Sequence, residues 1–85
     1  MVKTTKILKA LANEKRLEIL NLLEKREMNV SEIAKLVRLH FKSVSKHLQK
    51  LAEAGLLNRT QKGFRVEYGL KKEIKQLVNL LKKIK

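Results

Sequence analysis

The spacing of apolar residues changes period at Gly55, and that change restricts the chain to a small set of folds. Before Gly55, apolar residues recur every three or four positions: Ile7, Leu8 and Leu11; Leu17, Leu20 and Leu23 with Ile19 and Leu22; Ile33, Leu36 and Val37; Val44, Leu48 and Leu51. That spacing puts each set on one face of a helix. After it, Leu57 to Thr60 and Phe64 to Tyr68 alternate on either side of Gln61-Lys62-Gly63. This is a hairpin signal, with glycine where the turn needs a positive φ. Ile74, Leu77, Val78, Leu81 and Ile84 then restore the helical period. The sequence therefore predicts an α+β fold, mostly α, of five helices and one small β-hairpin.

Local signals sharpen the boundaries. Thr4 to Ala12 reads as a short first helix with Lys6 and Lys9 solvated. Asn13 caps the next, with Glu14 favourable in its first turn, and its wide apolar surface makes it the core helix. Met28-Asn29-Val30 supplies a short strand. Ser31 is the expected cap of the third helix, in which Ile33, Leu36 and Val37 face inward. A turn at Arg38-Leu39-His40 leads to a helix from about Phe41 to Ala54, stopped by Gly55. On the second strand Phe64, Val66 and Tyr68 share one face, leaving Arg65 and Glu67 on the other. The last helix covers about residues 71–85. A two-stranded hairpin is marginal alone, so it must lean on the helices.

Eighty-five residues suit a single domain over 1–85 with one modest core, and leave no room for a deep catalytic cleft. No apolar run approaches the roughly 20 residues that span a bilayer, and the start lacks a secretory pattern; a cytoplasmic location follows. Zero cysteines exclude disulfides and thiolate metal sites. With no Asp and no phosphate-cradling glycine loop either, no enzyme is expected.

The net charge of +13 calls for a polyanionic partner, and its distribution is uneven. Residues 13–32 hold four bases against five acids, whereas residues 38–65 hold seven bases against one acid. Residues 71–85 add six bases against one acid. Basic character thus gathers on the fourth helix, the hairpin and the tail. On the fourth helix Val44, Leu48 and Leu51 must be buried, so Lys42, Lys46, Gln49 and Glu53 point away, flanked by Ser43, Lys50 and Ser45. Cations, small hydroxyls and an amide on one stripe suit a helix entering a major groove: Gln pairs with adenine, Lys with guanine acceptors or phosphate. An ordinary solvated face is also lysine-rich, and the stripe alone does not separate the two. His47 lies at the edge of the buried face and reads as a packed side chain, with phosphate contact or metal ligation as the alternatives; Phe41 reads as packing against Leu39, with contact to a thymine methyl as the alternative.

The run Leu11-Ala12-Asn13-Glu14-Lys15-Arg16-Leu17-Glu18-Ile19-Leu20, the run Val44 to Leu57 with Ser45, His47, Leu48 and Glu53-Ala54-Gly55-Leu56, the Gly63 hairpin and Tyr68-Gly69-Leu70 together resemble the ArsR-type winged helix-turn-helix transcriptional repressors. The likeness covers nearly the whole chain. It implies a homodimer held by the first and last helices, a DNA-reading fourth helix, and a hairpin wing (about 57–68) touching the backbone. The groove-facing set is then Lys42, Ser43, Ser45, Lys46 and Gln49. The phosphate-contacting set is Lys35, Arg38, Lys50, Arg59, Lys62 and Arg65. The dimer seam draws on Ile7, Leu8, Leu11, Ile74, Leu77, Val78 and Leu81, although a basic amphipathic last helix can also lie on a membrane or along DNA. Metal-sensing members carry a cysteine box or Asp and His ligands on the last helix; here there is no Cys, no Asp and no His after His47. No metal or other cofactor is expected, His40 and His47 being too few for a closed zinc site. The implied function is a sequence-specific double-stranded DNA-binding regulator. A protein coating DNA without reading it, or a winged-helix module for protein contacts, are the alternatives.

Overall fold

The computed structural model describes residues 2–84. They form α1 (Val2–Leu11), α2 (Glu14–Lys25), α3 (Val30–Val37), α4 (Phe41–Glu53), β1 (Leu57–Lys62), β2 (Arg65–Leu70) and α5 (Lys72–Lys82). Five helices and one antiparallel hairpin is the winged helix-turn-helix arrangement that the change of period predicts.

Each helix end has a chemical cause. Asn13, in extended conformation, accepts from the Arg16 N–H at 3.0 Å through Oδ1 and starts α2. The cap of α3 is Asn29, not Ser31. Glu32 N–H donates to Asn29 Oδ1 at 2.9 Å while Asn29 N–H donates to Glu32 Oε1 at 3.0 Å. Capping at Ser31 would put Ala34 where the reciprocating carboxylate belongs, so the capping box selects Asn29. At the other end, Arg38 is left-handed (φ 58, ψ 47), the only non-glycine with positive φ among the described residues. Helix α4 closes with Gly55 N–H bonded to Ala52 C=O and Leu56 N–H to Leu51 C=O, a Schellman motif on Gly55 at φ 80.

The hairpin runs from Leu57↔Leu70 to Lys62↔Arg65, leaving Gly63 and Phe64 as the turn. Positive φ at Gly63 and not at Phe64 is the pattern of a type II′ turn. Phe64 therefore leaves the strand face expected to hold it with Val66 and Tyr68, and stands 107% exposed at the tip. The second strand also continues two residues past Tyr68, through Gly69 to Leu70. Met28 joins by a single bridge, its N–H and C=O bonding Tyr68 at 3.0 and 2.8 Å. A longer third strand is blocked because the next residue, Asn29, is committed to capping α3.

Ile19, Leu20 and Leu23 of α2 sit at the centre, surrounded by Ile33 and Val37 of α3, Val44, Leu48 and Leu51 of α4, Leu56, Leu57 and Leu70 around the hairpin base, and Val78 of α5. Leu36 was expected to face inward; it is 52% exposed, because Ile33 and Val37 suffice to seat this short helix. Lys82 Nζ meets Glu24 Oε1 at 2.8 Å and ties α5 to α2, holding the Glu24 carboxyl below its ordinary value.

Candidate nucleic-acid interface

Burial of Val44, Leu48 and Leu51 fixes the rotation of α4, so the residues opposite them are set in solvent. Lys42, Ser43, Ser45, Lys46, Gln49 and Lys50 are all exposed. The helix begins at His40, whose Nδ1 accepts from Lys42 N–H at 3.1 Å. Among the described residues none of Lys42, Lys46 or Lys50 belongs to an ion pair, and neither do Lys35, Arg38 and Arg59. Gln49 Nε2 makes a long hydrogen bond of 3.4 Å to Glu53 Oε2 on the same face. At such a distance the amide is easily redirected to a stronger partner.

The wing is charged in a different way. Lys62 Nζ lies 3.0 Å from Glu67 Oε1 and 3.4 Å from Glu27 Oε1, and an Arg65 guanidinium nitrogen lies 2.9 Å from Glu67 Oε2. The Lys62 hydrogen bond and charge, with those of Arg65, hold the Glu67 carboxyl below its ordinary value; the same pairing raises the Lys62 ammonium. A Cβ on Gly69 would come within 2.9 Å of Glu27 Cγ, so a bare backbone at that point lets Glu27 lie across β2 toward Lys62. Sequence reading placed Arg65 and Glu67 on one strand face. It missed Glu27, which is 35 positions from Lys62 and signalled only by the small residue beneath it.

Both phenylalanines of the chain are exposed, one at the first residue of α4 and one at the wing tip. Phe41, expected to pack against Leu39, is 55% exposed, and its ring lies against that of His40, with centroids 4.7 Å apart. His47 is half-buried, and burial, followed by the charge of Arg16, depresses its pKa.

The residues assigned to a seam divide into three groups. Leu8 is exposed and Leu81 partly so, and the neighbouring Leu17 and Leu80 are exposed too. Ile7, Leu11 and Ile74 are half-buried against the core, and Leu77 is half-buried. Val78, at 3% exposure, is used within the protomer's own core and has no surface to offer a second copy. Among the described residues, no group of three or more His, Cys, Asp or Glu side chains is placed so that it could hold a metal ion. None of their helices is long and apolar enough to cross a membrane.

Comparison with known proteins places this geometry. Residues 13–59 match the model of the bacterial regulatory protein arsR family. The chain is 36% identical over 83 residues to the transcriptional activator HlyU of Vibrio cholerae, covering 96% of this chain and 77% of that protein. The HlyU structure superposes with a TM-score of 0.85 at 37% identity, over 94% of this chain and 88% of the other. A homodimeric winged helix-turn-helix DNA-binding domain from Mycobacterium bovis, a possible ArsR-family regulator, gives a TM-score of 0.90 at 32% identity, covering 94% and 75%. The transcriptional repressor PagR of Bacillus anthracis gives 0.82 at 30% identity, covering 93% and 92%. With a fully seated α4 and a hairpin wing, and with these likenesses along nearly its whole length, the chain belongs to the ArsR family of winged helix-turn-helix, DNA-binding transcriptional regulators.

Proposed function

We propose that the chain acts in the cytoplasm, as a single-domain, non-enzymatic homodimer without a metal sensor or cofactor, and represses transcription by binding a specific double-stranded operator. The observation that carries this reading is the state of Lys42 and Lys46: exposed, opposite a fully buried face, and without a carboxylate in ion-pair reach among the described residues. Charges held in that way are matched by phosphates and guanine acceptors. Lys42, Ser43, Ser45, Lys46 and Gln49 enter the major groove, and exposed Phe41 at the mouth of the helix meets a thymine methyl. Lys35, Arg38, Lys50, Arg59, Lys62 and Arg65 contact the backbone.

Pairing of two copies follows the homodimeric Mycobacterium bovis relative. Leu8, Leu80 and Leu81 give the exposed apolar surface for it, supported by Ile7, Leu11, Ile74 and Leu77 at its edge. Two-fold symmetry would set the reading helices roughly 34 Å apart, one turn of DNA. Selection of bound duplexes from a random pool, followed by competition at fixed salt, tests the reading. A two-fold symmetric consensus bound about a thousandfold more tightly than random duplex is expected. A ratio near one would replace operator reading by DNA coating, and no binding even at low salt would leave a protein-contact module.

A further inference from the structure

Helices α1, α2 and α4 meet around an open hollow of about 240 Å³ lined by Lys6, Lys9, Ala10, Arg16, Lys50 and Glu53. Four bases face it against one carboxylate, and none of the four is in an ion pair among the described residues. The carboxylate of Glu53 is directed instead to the Gln49 amide. Arg16 Nε is buried and has no hydrogen-bond partner among the described residues. A buried guanidinium N–H without an acceptor is costly, more so beside other cations, and the field of Arg16 already reaches His47. With Arg16 Nε closed to solvent, it is the ends of the four basic side chains at the hollow that remain to be matched, and what matches them is an anion with several acceptor oxygens.

We propose that this hollow binds a phosphate-type oxyanion, held between Lys6 and Lys9 of α1, Arg16 of α2 and Lys50 of α4. The phosphate belongs either to a small phosphorylated ligand or to the DNA backbone. Bound there, it bridges the helix assigned to pairing and the helix assigned to reading, and so couples the two; that consequence rests on the proposed function, whereas binding itself does not.

The test titrates the 85-residue chain with inorganic pyrophosphate at constant ionic strength, followed by calorimetry. Saturable binding of one pyrophosphate per chain is expected. It should weaken about tenfold or more in Lys6→Ala/Lys9→Ala, and by less than about twofold in Lys72→Ala/Lys75→Ala, which removes equal charge elsewhere. All four lysines are exposed, so neither variant threatens the fold. Equal weakening in both, or titration without saturation, overturns the site. DNA titrations then separate the sources: a reduced salt slope in Lys6→Ala/Lys9→Ala assigns the phosphate to DNA. An unchanged slope, with pyrophosphate altering DNA affinity only in the wild type, assigns it to a small ligand. Pyrophosphate binding by a chain that ignores DNA would keep the site and reject the function.

Discussion

Helix α4 and the wing are both basic, but α4 holds Lys42, Lys46 and Lys50 away from any carboxylate in ion-pair reach among the described residues, whereas the wing holds Lys62 and Arg65 against Glu27 and Glu67. A lysine with no counter-ion gives its whole charge to an arriving phosphate and releases the phosphate's condensed cation. A lysine already paired must exchange one partner for another, and gains less. The wing receives something else in return: its tip is pinned to the segment after α2 and to its own second strand, so less order has to be imposed on binding. On the proposed reading, the basic residues of the two elements thus do unequal work.

Four measurements bear on that contrast. Removing Lys42 and Lys46 together should have the largest effect, lowering operator affinity by about 100-fold at low salt and flattening the salt slope by about two. A change no larger than that of Lys62→Ala would break the comparison. Gln49→Ala should cost about tenfold in discrimination at one base pair while leaving affinity for random duplex unchanged. Lys62→Ala should weaken all duplexes by only about twofold and leave the preferred sequence as it was. Glu67→Gln, which frees Arg65 and leaves Lys62 only its 3.4 Å contact to Glu27, should strengthen them by up to about the same factor. Fluorescence anisotropy across a salt series reads all of these.

The smallest effects are in pH. Because Lys62 holds Glu67 below its ordinary value of 4.5, the wing pairing stabilises the fold fully above that pH, and the gain is lost as pH falls through the lower folded value. Tyr68 is the only tyrosine and there is no Trp, so intrinsic fluorescence reports on the wing directly. Helix α4 should show a different dependence, through His47. Its folded pKa lies below 6.5, so the unfolded chain takes up the proton first, and stability declines between 6.5 and the folded value before levelling off. His47→Gln should remove that decline in urea unfolding midpoints while leaving the Tyr68 transition in place.

Much of this was legible beforehand because the relevant interactions are local. Spacing alone buries Val44, Leu48 and Leu51 and so aims Lys42 and Lys46 outward; Gly55 and Gly63 announce left-handed positions because little else sits there cheaply. What escaped reading depends on partners distant in sequence or on competition between neighbours. Nothing in the sequence around Lys62 announces Glu27. Ser31 is a good cap residue, and only the carboxylate at Glu32 gives Asn29 the advantage. Phe64 alternates correctly with Val66 and Tyr68 but is displaced by a turn that needs two residues. Val78 shares its helix face with the residues proposed for the seam, and only packing on α2 separates it from them. The hollow beside Arg16 joins three helices and has no trace in any one of them.

The joint between α3 and α4 is made by Arg38 in a left-handed conformation, where glycine would sit without steric cost. That choice sacrifices about 1 kcal/mol of folding stability. It leaves an exposed cation at the elbow from which the reading helix departs. A campaign to harden this protein against heat would therefore be drawn early to Arg38→Gly, and, if Arg38 contacts the backbone as proposed, would be rewarded with a sturdier molecule that grips its target less well.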